Sequence, residues 1–433
     1  MSLPPGTAMR RVAVVGGGLA GLVAARHLAD AGREVTVFER EPTVGGRVRS
    51  REVEGFTLDR GFQVLFTSYP DARRELDLDA LDLRTFPPGA IVARPGRRST
   101  VADPLRDPGA ALETLRSDAG SLGDKLRLLA LALELRWREY GSIFPGPDRS
   151  IREALARRGF SERFVDAFVA PFYGGITLDR SLSTAAAVFE YTFKALAEGQ
   201  AAVPAAGMGA IPDQLAERAR SAGATIETGR AVTGLSTEEG GPVTVELDGE
   251  TVEVDAAVVA TDPSTARELT GVNAIPTEAR GCVTQYYALP VDVSLDTGGR
   301  LLLNADGDAP NHVAPLSAVA PEYAPEGRQL LAATFLGRDV ADEADEAELA
   351  ELSRSALASW YPDRRFDELS TLATDRIPFA QFDQPPGSHA GLPAIDAPDG
   401  PVVLAGDYTR WSSIQGALRS GRLAAHAVRA AGP

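Results

Sequence analysis

The feature that most constrains this chain lies in its first forty residues. Arg11–Val15 reads RVAVV and runs straight into Gly16-Gly17-Gly18-Leu19-Ala20-Gly21, a G-x-G-x-x-G. A short, continuous, β-branched run of this kind predicts a strand buried on both faces, as in a parallel sheet. Leu22 to Ala31 follows as a helix that stops at Gly32, and Glu34–Phe38 (EVTVF) predicts a second strand ending at Glu39. Each residue has a physical task. Gly16 permits the tight turn, Gly18 lets backbone approach a pyrophosphate, and Gly21 lets helix and strand pack closely. The helix N-terminus supplies free N–H groups and a partial positive charge for the phosphates, and Leu19 and Ala20 of the glycine turn are read as cofactor contacts. Glu39 accepts from a ribose hydroxyl and repels a 2′-phosphate, which favours FAD or NAD over NADP. Strand, glycines, helix, second strand and terminal acid in this order make a strong signal; the glycines alone would be weak.

Composition narrows the partners. The 433 residues carry a net charge of −16, and only two of the basic residues are lysines, Lys125 and Lys194. Such a chain is repelled by nucleic acid and by anionic headgroups. The acidic, lysine-poor, Ala/Gly-rich composition resembles that of proteins from salt-loving archaea, in which salt screens the self-repulsion; a GC-rich genome favouring arginine codons is the alternative. A single cysteine, Cys282, leaves no intramolecular disulfide, and His27, His312, His389 and His426 show no metal-ligand spacing. MSLPPGTAMR has no apolar core of a signal peptide, and no run reaches the roughly 18 apolar residues of a spanning helix. The expected location is the cytoplasm, with peripheral membrane contact open.

After Glu39 come Arg40 and then Gly45-Gly46-Arg47-Val48-Arg49-Ser50. This arrangement resembles the flavoprotein family of amine oxidases, protoporphyrinogen oxidases and carotenoid desaturases. The resemblance implies FAD as cofactor and Arg47 as a pyrophosphate contact, for which a guanidinium fork is suited. It extends to Phe56–Val64 (FTLDRGFQV), where Gly61, Phe62 and Gln63 would carry backbone over the flavin ring. Val232, after Thr225-Ile226-Glu227-Thr228-Gly229-Arg230-Ala231, would contact the adenine, and Val254–Asp262 (VDAAVVATD) forms another buried strand. Near the C-terminus, Val402–Thr409 (VVLAGDYT) is a strand ending at Gly406-Asp407, with Asp407 at the ribityl chain. The small-residue helix from about Gln415, with Ile414, Gly416, Ala417 and Gly421, would aim its first N–H groups at the pyrimidine carbonyl. AGDYT, Phe168–Ile176 and Val203–Pro212 are closer to carotenoid and related desaturases than to amine oxidases.

The resemblance implies an α/β chain with a discontinuous Rossmann-like FAD domain (1–70, 203–265 and 395–433) and an α+β substrate domain (71–202 and 266–394). The first substrate segment reads as helical, at Asp124–Tyr140 and Ser161–Val169. The second reads as strands at Val283–Leu289, Arg300–Leu303 and Gln329–Phe335, then an acidic helix over about Ala341–Trp360. The acidic run is a solvated face and Asp306-Gly307-Asp308 a turn, not cation sites. The apolar stripe of 126–135 reads as core, with a membrane-resting face as the alternative.

Desaturating flavoenzymes need orientation and a dry pocket more than acid–base groups, with flavin N5 accepting hydride. The amine oxidases of the family place a lysine near N5 from the second substrate segment; no lysine follows Lys194 here, which argues against amine oxidation. Tyr408 and Trp411 are candidates for an aromatic cage, and no catalytic residue beyond the flavin stands out. The leading reading is desaturation, or saturation, of an isoprenoid or carotenoid, with oxygen or a quinone as electron acceptor. Amine or porphyrinogen oxidation, a redox-neutral flavin isomerase and a flavin-binding protein without turnover are the alternatives.

Overall fold

A computed structural model describes residues 11–103, 106–146, 148–238, 241–307 and 309–431. The N-terminal decapeptide and Asp308 lie outside them. A five-stranded parallel sheet organises one lobe, in the spatial order Thr225–Thr228, Glu34–Glu39, Arg11–Val15, Ala256–Val259, Val402–Leu404. In chain order this is 3-2-1-4-5, the arrangement that leaves a crevice at the carboxyl ends of the central strands. Val12 pairs with Val35 on one side and Ala256 on the other.

Period-two alternation between two covered faces explains why Val12–Val15 is apolar throughout. Val12 and Val14 pack on the helices Leu19–Asp30 and Ile414–Ala431, whereas Ala13 faces Phe38, Val243 and Tyr408. The second face is covered by an antiparallel sheet of Val232–Thr237, Val243–Leu247 and Glu250–Val254. With both faces covered, only Arg11 at the strand's exposed start is polar.

The expected strand through Val232 is two strands. Gly229 (φ +68°) ends Thr225–Thr228, and the chain re-enters at Val232 in the covering sheet. The acidic helix is also two: Arg338–Glu343, then Glu346–Trp360, whose N-cap Asp345 accepts from the amides of Ala347 and Glu348. An aspartate that caps a new helix competes with the continuation of the old one.

The second lobe is built on a seven-stranded sheet: Ser370–Phe382, Ala279–Pro290, Arg328–Leu336, His312–Pro315, Leu302–Asn304, Ala90–Arg94, Arg97–Val101. The last two come from the segment read as helical. They form a hairpin whose two-residue turn is Pro95-Gly96, with Gly96 at φ +65°. Leu302–Asn304 pairs in parallel with Ala90–Arg94, so both substrate segments share one sheet. Ala201–Pro204 pairs with Leu65–Phe66 and Leu83–Thr85 in a small sheet between the lobes. Helices Leu122–Trp137, Ile151–Arg157, Ala170–Thr177 and Ala186–Glu198 stand over the large sheet.

Candidate cofactor and substrate site

Gly16 sits at φ +106°, and a Cβ there would lie 2.7 Å from the carbonyl oxygen of Ala260. Only glycine fits that turn. A Cβ on Gly21 would overlap the Gly16 carbonyl oxygen, so helix Leu19–Asp30 can close on the turn only because Gly21 has no side chain. Gly18 is the N-cap, and a Cβ there would meet nothing within 4 Å. That open space belongs to a large cavity, where the helix N-terminus faces outward.

Glu39 is buried beneath this turn. One carboxylate oxygen accepts from Gly17 N–H at 2.7 Å and the other from Glu41 N–H at 2.9 Å. It therefore braces the glycine turn as well as lining the cavity. Gly45 N–H donates to the Gly17 carbonyl at 2.9 Å, and the backbone of Arg230 donates to that of Glu39 at 2.8 Å, which brings Ala231 and Val232 to the wall. Arg40 lies on the rim, 3.8 Å from Asp262.

Arg47 reaches across the cleft. One guanidinium nitrogen pairs with Asp407 at 2.7 Å and another donates to the Ala380 carbonyl at 3.1 Å. Desolvation in the cleft works against its charge, but the charge and hydrogen bond of Asp407 outweigh this and its pKa is raised. The second Asp407 oxygen accepts from the Ser412 hydroxyl at 2.9 Å, and Gly406 N–H donates to Ser420 at 2.6 Å. The glycine-rich N-terminal turn and the C-terminal Gly-Asp are thus joined through one ion pair.

Gly61, Phe62 and Gln63 form part of the cavity wall, held from behind. Gly61 N–H donates to Asp375, Phe62 N–H to the Thr284 hydroxyl, and Gln63 Nε2 to the carbonyls of Arg47 and Arg60. Ile414 and Ala417 line the cavity. Gln415 does not: its side chain exchanges two hydrogen bonds with Asp71, at 2.9 and 2.6 Å, on the far side of the helix. Ser413 caps the helix by accepting from Gly416 N–H. Tyr408 packs in the core, its hydroxyl donating to the Val259 carbonyl, so of the two aromatic candidates only Trp411 reaches the cavity.

The residues that sequence reading missed come mainly from Ser370–Phe382. This strand brings Ile377, Phe379 and Ala380 to the cavity. Its internal Pro378 reads as a strand breaker, yet is tolerated because the strand lies at the sheet edge, where pairing with Ala279–Pro290 is irregular. Thr261–Thr265 and Ser412 also line the site. Among the described residues, no group of three or more His, Cys, Asp or Glu is placed to hold a metal ion.

The cavity measures about 1190 Å³. One end is the polar cradle of Gly16, Gly18, Glu39, Arg47 and Asp407. The other is apolar, walled by Phe168, Phe172, Phe189, Phe193 and Leu129. Phe160, Phe164, Phe168 and Phe172 form a ladder of rings with centroids 5.4–5.7 Å apart. His312 borders the middle, edge-on to Phe62 at 5.2 Å, and burial pushes its pKa down to about 4, so it is neutral. An extended dinucleotide fits the cradle, because the backbone clearance at Gly18 and the donors at the helix end lie on one wall and Glu39 on the same rim.

Fold and cradle define a dinucleotide-binding α/β protein whose ligand adjoins an apolar chamber. The family described as flavin containing amine oxidoreductase matches residues 19–429, and the chain belongs to that family. It is therefore an FAD-dependent member of an oxidoreductase family. Phytoene dehydrogenase of Streptomyces griseus is 32% identical over 291 residues, 60% of this chain and 56% of that protein. Mitochondrial protoporphyrinogen oxidase of Nicotiana tabacum is 30% identical over 168 residues, 38% of this chain and 32% of that one. The chain thus spans about half or less of the length of these curated relatives. Among solved structures, a putative protoporphyrinogen oxidase from Exiguobacterium superposes with a TM-score of 0.72 at 15% identity, over 98% of this chain and 100% of that one. Putrescine oxidase bound to putrescine gives 0.70 at 17% identity, over 97% and 99%. At such identity the likeness is one of fold.

Proposed function

We propose that this protein is an oxidoreductase that takes hydride from an elongated apolar substrate of the isoprenoid or carotenoid class. The observation that carries this reading is the continuity of the cavity: the polar cradle opens, without a partition, into a chamber walled by phenylalanines and leucines. When bound, FAD supplies the two-electron acceptor. The chain's own part is to bind, orient and exclude water. Gly16, Gly18 and the end of helix Leu19–Asp30 receive the diphosphate. Glu39 receives a ribose hydroxyl, and the paired Arg47 and Asp407 complete the cradle. The backbone of Gly61–Gln63, pinned from behind by Asp375, Thr284 and its own glutamine, forms a rigid wall against which substrate is held. Apolar walls would exclude bulk water from the reacting carbon; the hydride it gives up would be matched by a proton from the neighbouring carbon, acidic enough at that stage to pass to a weak base such as a single water or the neutral His312 imidazole on the cavity wall.

Both lysine ammonium groups are tied to backbone carbonyls, although Lys125 also lines the cavity. Lys194 donates to the carbonyls of Leu135 and Arg136, and Lys125 to those of Leu115 and Ser117. Neither is placed like the lysine of the family's amine oxidases, which supports the isoprenoid reading. The relatives named as phytoene dehydrogenase and diapophytoene desaturase point the same way.

The test is a visible absorption spectrum of the purified protein, followed anaerobically as lipids and amines are added. Flavin bands that bleach with an isoprenoid and return with oxygen or a quinone are the expected result and identify the acceptor. Bleaching by a polyamine, with none by any isoprenoid, would refute the reading.

A further inference from the structure

The cavity has a second charged end. Away from the cradle, the charged side chains that line it among the described residues are Asp103, Arg106, Lys125 and Arg300. The large sheet fixes how far they lie from the cofactor. Ala380, whose carbonyl accepts from Arg47, is on the edge strand Ser370–Phe382. Arg300 leads into Leu302–Asn304, four strand spacings away, and Asp103 and Arg106 follow Arg97–Val101 at the opposite edge, six spacings away. At about 4.8 Å per spacing the two polar ends stand roughly 20–30 Å apart. Helix Ala170–Thr177, which carries Phe172 of the chamber wall, packs on the strands between them.

The cations at this end are held in place but not neutralised. Arg106 donates to the Leu196 carbonyl in the last turn of helix Ala186–Glu198, and Lys125 to the Leu115 and Ser117 carbonyls where helix Ala111–Arg116 ends. A carbonyl dipole steadies a cation without cancelling its charge. Burial pulls the Lys125 pKa down more than Asp118 and Asp124 restore it. Lys125 sits on Leu122–Trp137, whose apolar stripe, expected in the core, is split: Leu131 and Leu135 are buried, whereas Leu122, Leu126 and Leu133 are exposed. Leu122 and Leu126 also line the cavity, so the chamber opens to the surface beside Lys125.

Arg300 carries the argument. It pairs with Asp107 through one terminal nitrogen, while its Nε is buried with no partner among the described residues. Three cations thus stand against Asp103 and Asp107 at the end of an apolar chamber, in a chain of net charge −16. A hydrocarbon would leave that surplus and the orphaned donor unanswered, which is costly away from water. A carboxylate or phosphate answers both, and a guanidinium fork suits either.

We propose that this end of the chamber is an oxyanion site, in which Arg300 and Arg106, with Lys125 on the same wall, bind the terminal carboxylate or phosphate of a substrate whose apolar body crosses the chamber to the cofactor. Holding one end fixes which carbon reaches the cradle, so the site acts as a ruler. The oxyanion site stands on the cavity itself; the nature of the apolar body rests on the isoprenoid reading.

The test measures binding to the flavin-loaded protein by equilibrium dialysis, with geranylgeranoic acid, its uncharged methyl ester and geranylgeranyl phosphate as probes. The acid, the phosphate or both should bind about tenfold more tightly than the ester. A gain for the acid alone identifies a carboxylate site, and a gain for the phosphate alone a phosphate site. Arg106→Gln, at an exposed position, should remove most of the gap and leave ester binding, flavin content and thermal midpoint as in the wild type. Arg300→Gln should do the same to the gap, Arg106→Lys should keep it, and Asp103→Asn should widen it. Equal binding of all three probes, or a preference that survives in both glutamine variants, would overturn the proposal. Preferential anion binding without bleaching by any isoprenoid, charged or uncharged, would leave the oxyanion site intact and refute the hydride reading. Bleaching by a hydrocarbon isoprenoid with no preference for the anions would do the reverse.

Discussion

Asp59 shows how a single side chain ties the two lobes just behind the cavity wall formed by Arg60–Gln63. Its carboxylate accepts from the Ser50 hydroxyl at 2.6 Å, Met208 N–H at 2.8 Å and the Tyr323 hydroxyl at 3.2 Å, while its carbonyl accepts from Tyr286 at 2.7 Å. Ser50 and Met208 belong to the cofactor side, Tyr286 and Tyr323 to the substrate side. Burial raises the Asp59 pKa to about 6 against the pull of these donors. A folded pKa above the unfolded one means the native state holds the proton more tightly, so this contribution is present at low pH and is lost as pH rises through the folded value. Relative to Asp59→Asn, wild-type stability should therefore fall between about pH 4 and pH 6 and then level off, by of order 3 kcal/mol in all. His312 and His389, whose pKa values burial pushes down to about 4, slope the opposite way, so only the comparison with the variant isolates Asp59. Denaturant unfolding across that range measures it; a constant difference would mean that Asp59 stays ionised.

At the scale of elements, the site depends on two helices that present their N-termini to one cavity. Leu19–Asp30 and Ile414–Ala431 cross where a Cβ on Gly421 would overlap the backbone of Ala20. Gly421→Val should push the helices apart, lower stability by about 2–3 kcal/mol and reduce the flavin-to-protein ratio in parallel. Thermal unfolding together with the visible spectrum would separate this from simple unfolding, since Gly421 itself does not line the cavity. The same scale shows what local reading reaches. Periodicity and turn chemistry located Arg11–Val15, Glu34–Glu39 and the helix between them, expected over Leu22–Ala31 and found over Leu19–Asp30, because those signals are local. The edge strand Ser370–Phe382 was hidden by Pro378, and the Ala90–Val101 hairpin by an arginine-rich second strand, although Pro95-Gly96 marks its turn.

Across the whole molecule the net charge of −16 is spread over a surface with many arginine–carboxylate pairs, among them Arg51–Asp375 and Arg158–Glu134. Pairs of this kind contribute little individually, whereas the summed repulsion opposes compaction. The melting temperature should rise with added potassium chloride. If simple screening is the cause, most of the rise should come by roughly 0.1–0.2 M salt, where the Debye length is about 8–10 Å. A rise that continues steeply into molar salt would instead support the salt-adapted origin that the composition suggests. No helix among the described residues is long and apolar enough to cross a membrane.

By itself the sequence determined the cofactor half of this protein. The turn at Gly16, the carboxylate at Glu39 and the Gly406-Asp407 strand end are written in residues whose conformation or charge admits few alternatives, set in short local patterns of strand and turn. The Arg47–Asp407 pair, the turning of Gln415 towards Asp71 and the meeting of both substrate segments in one sheet were decided by tertiary structure. They join residues hundreds of positions apart, and side-chain direction is set by the neighbour that arrives. So too for the helix Leu122–Trp137. Its apolar content is plain in the sequence, but a helix apolar on two faces can bury only one against its own core. Which leucines stayed outside, at the mouth of the chamber, followed from how the fold placed it.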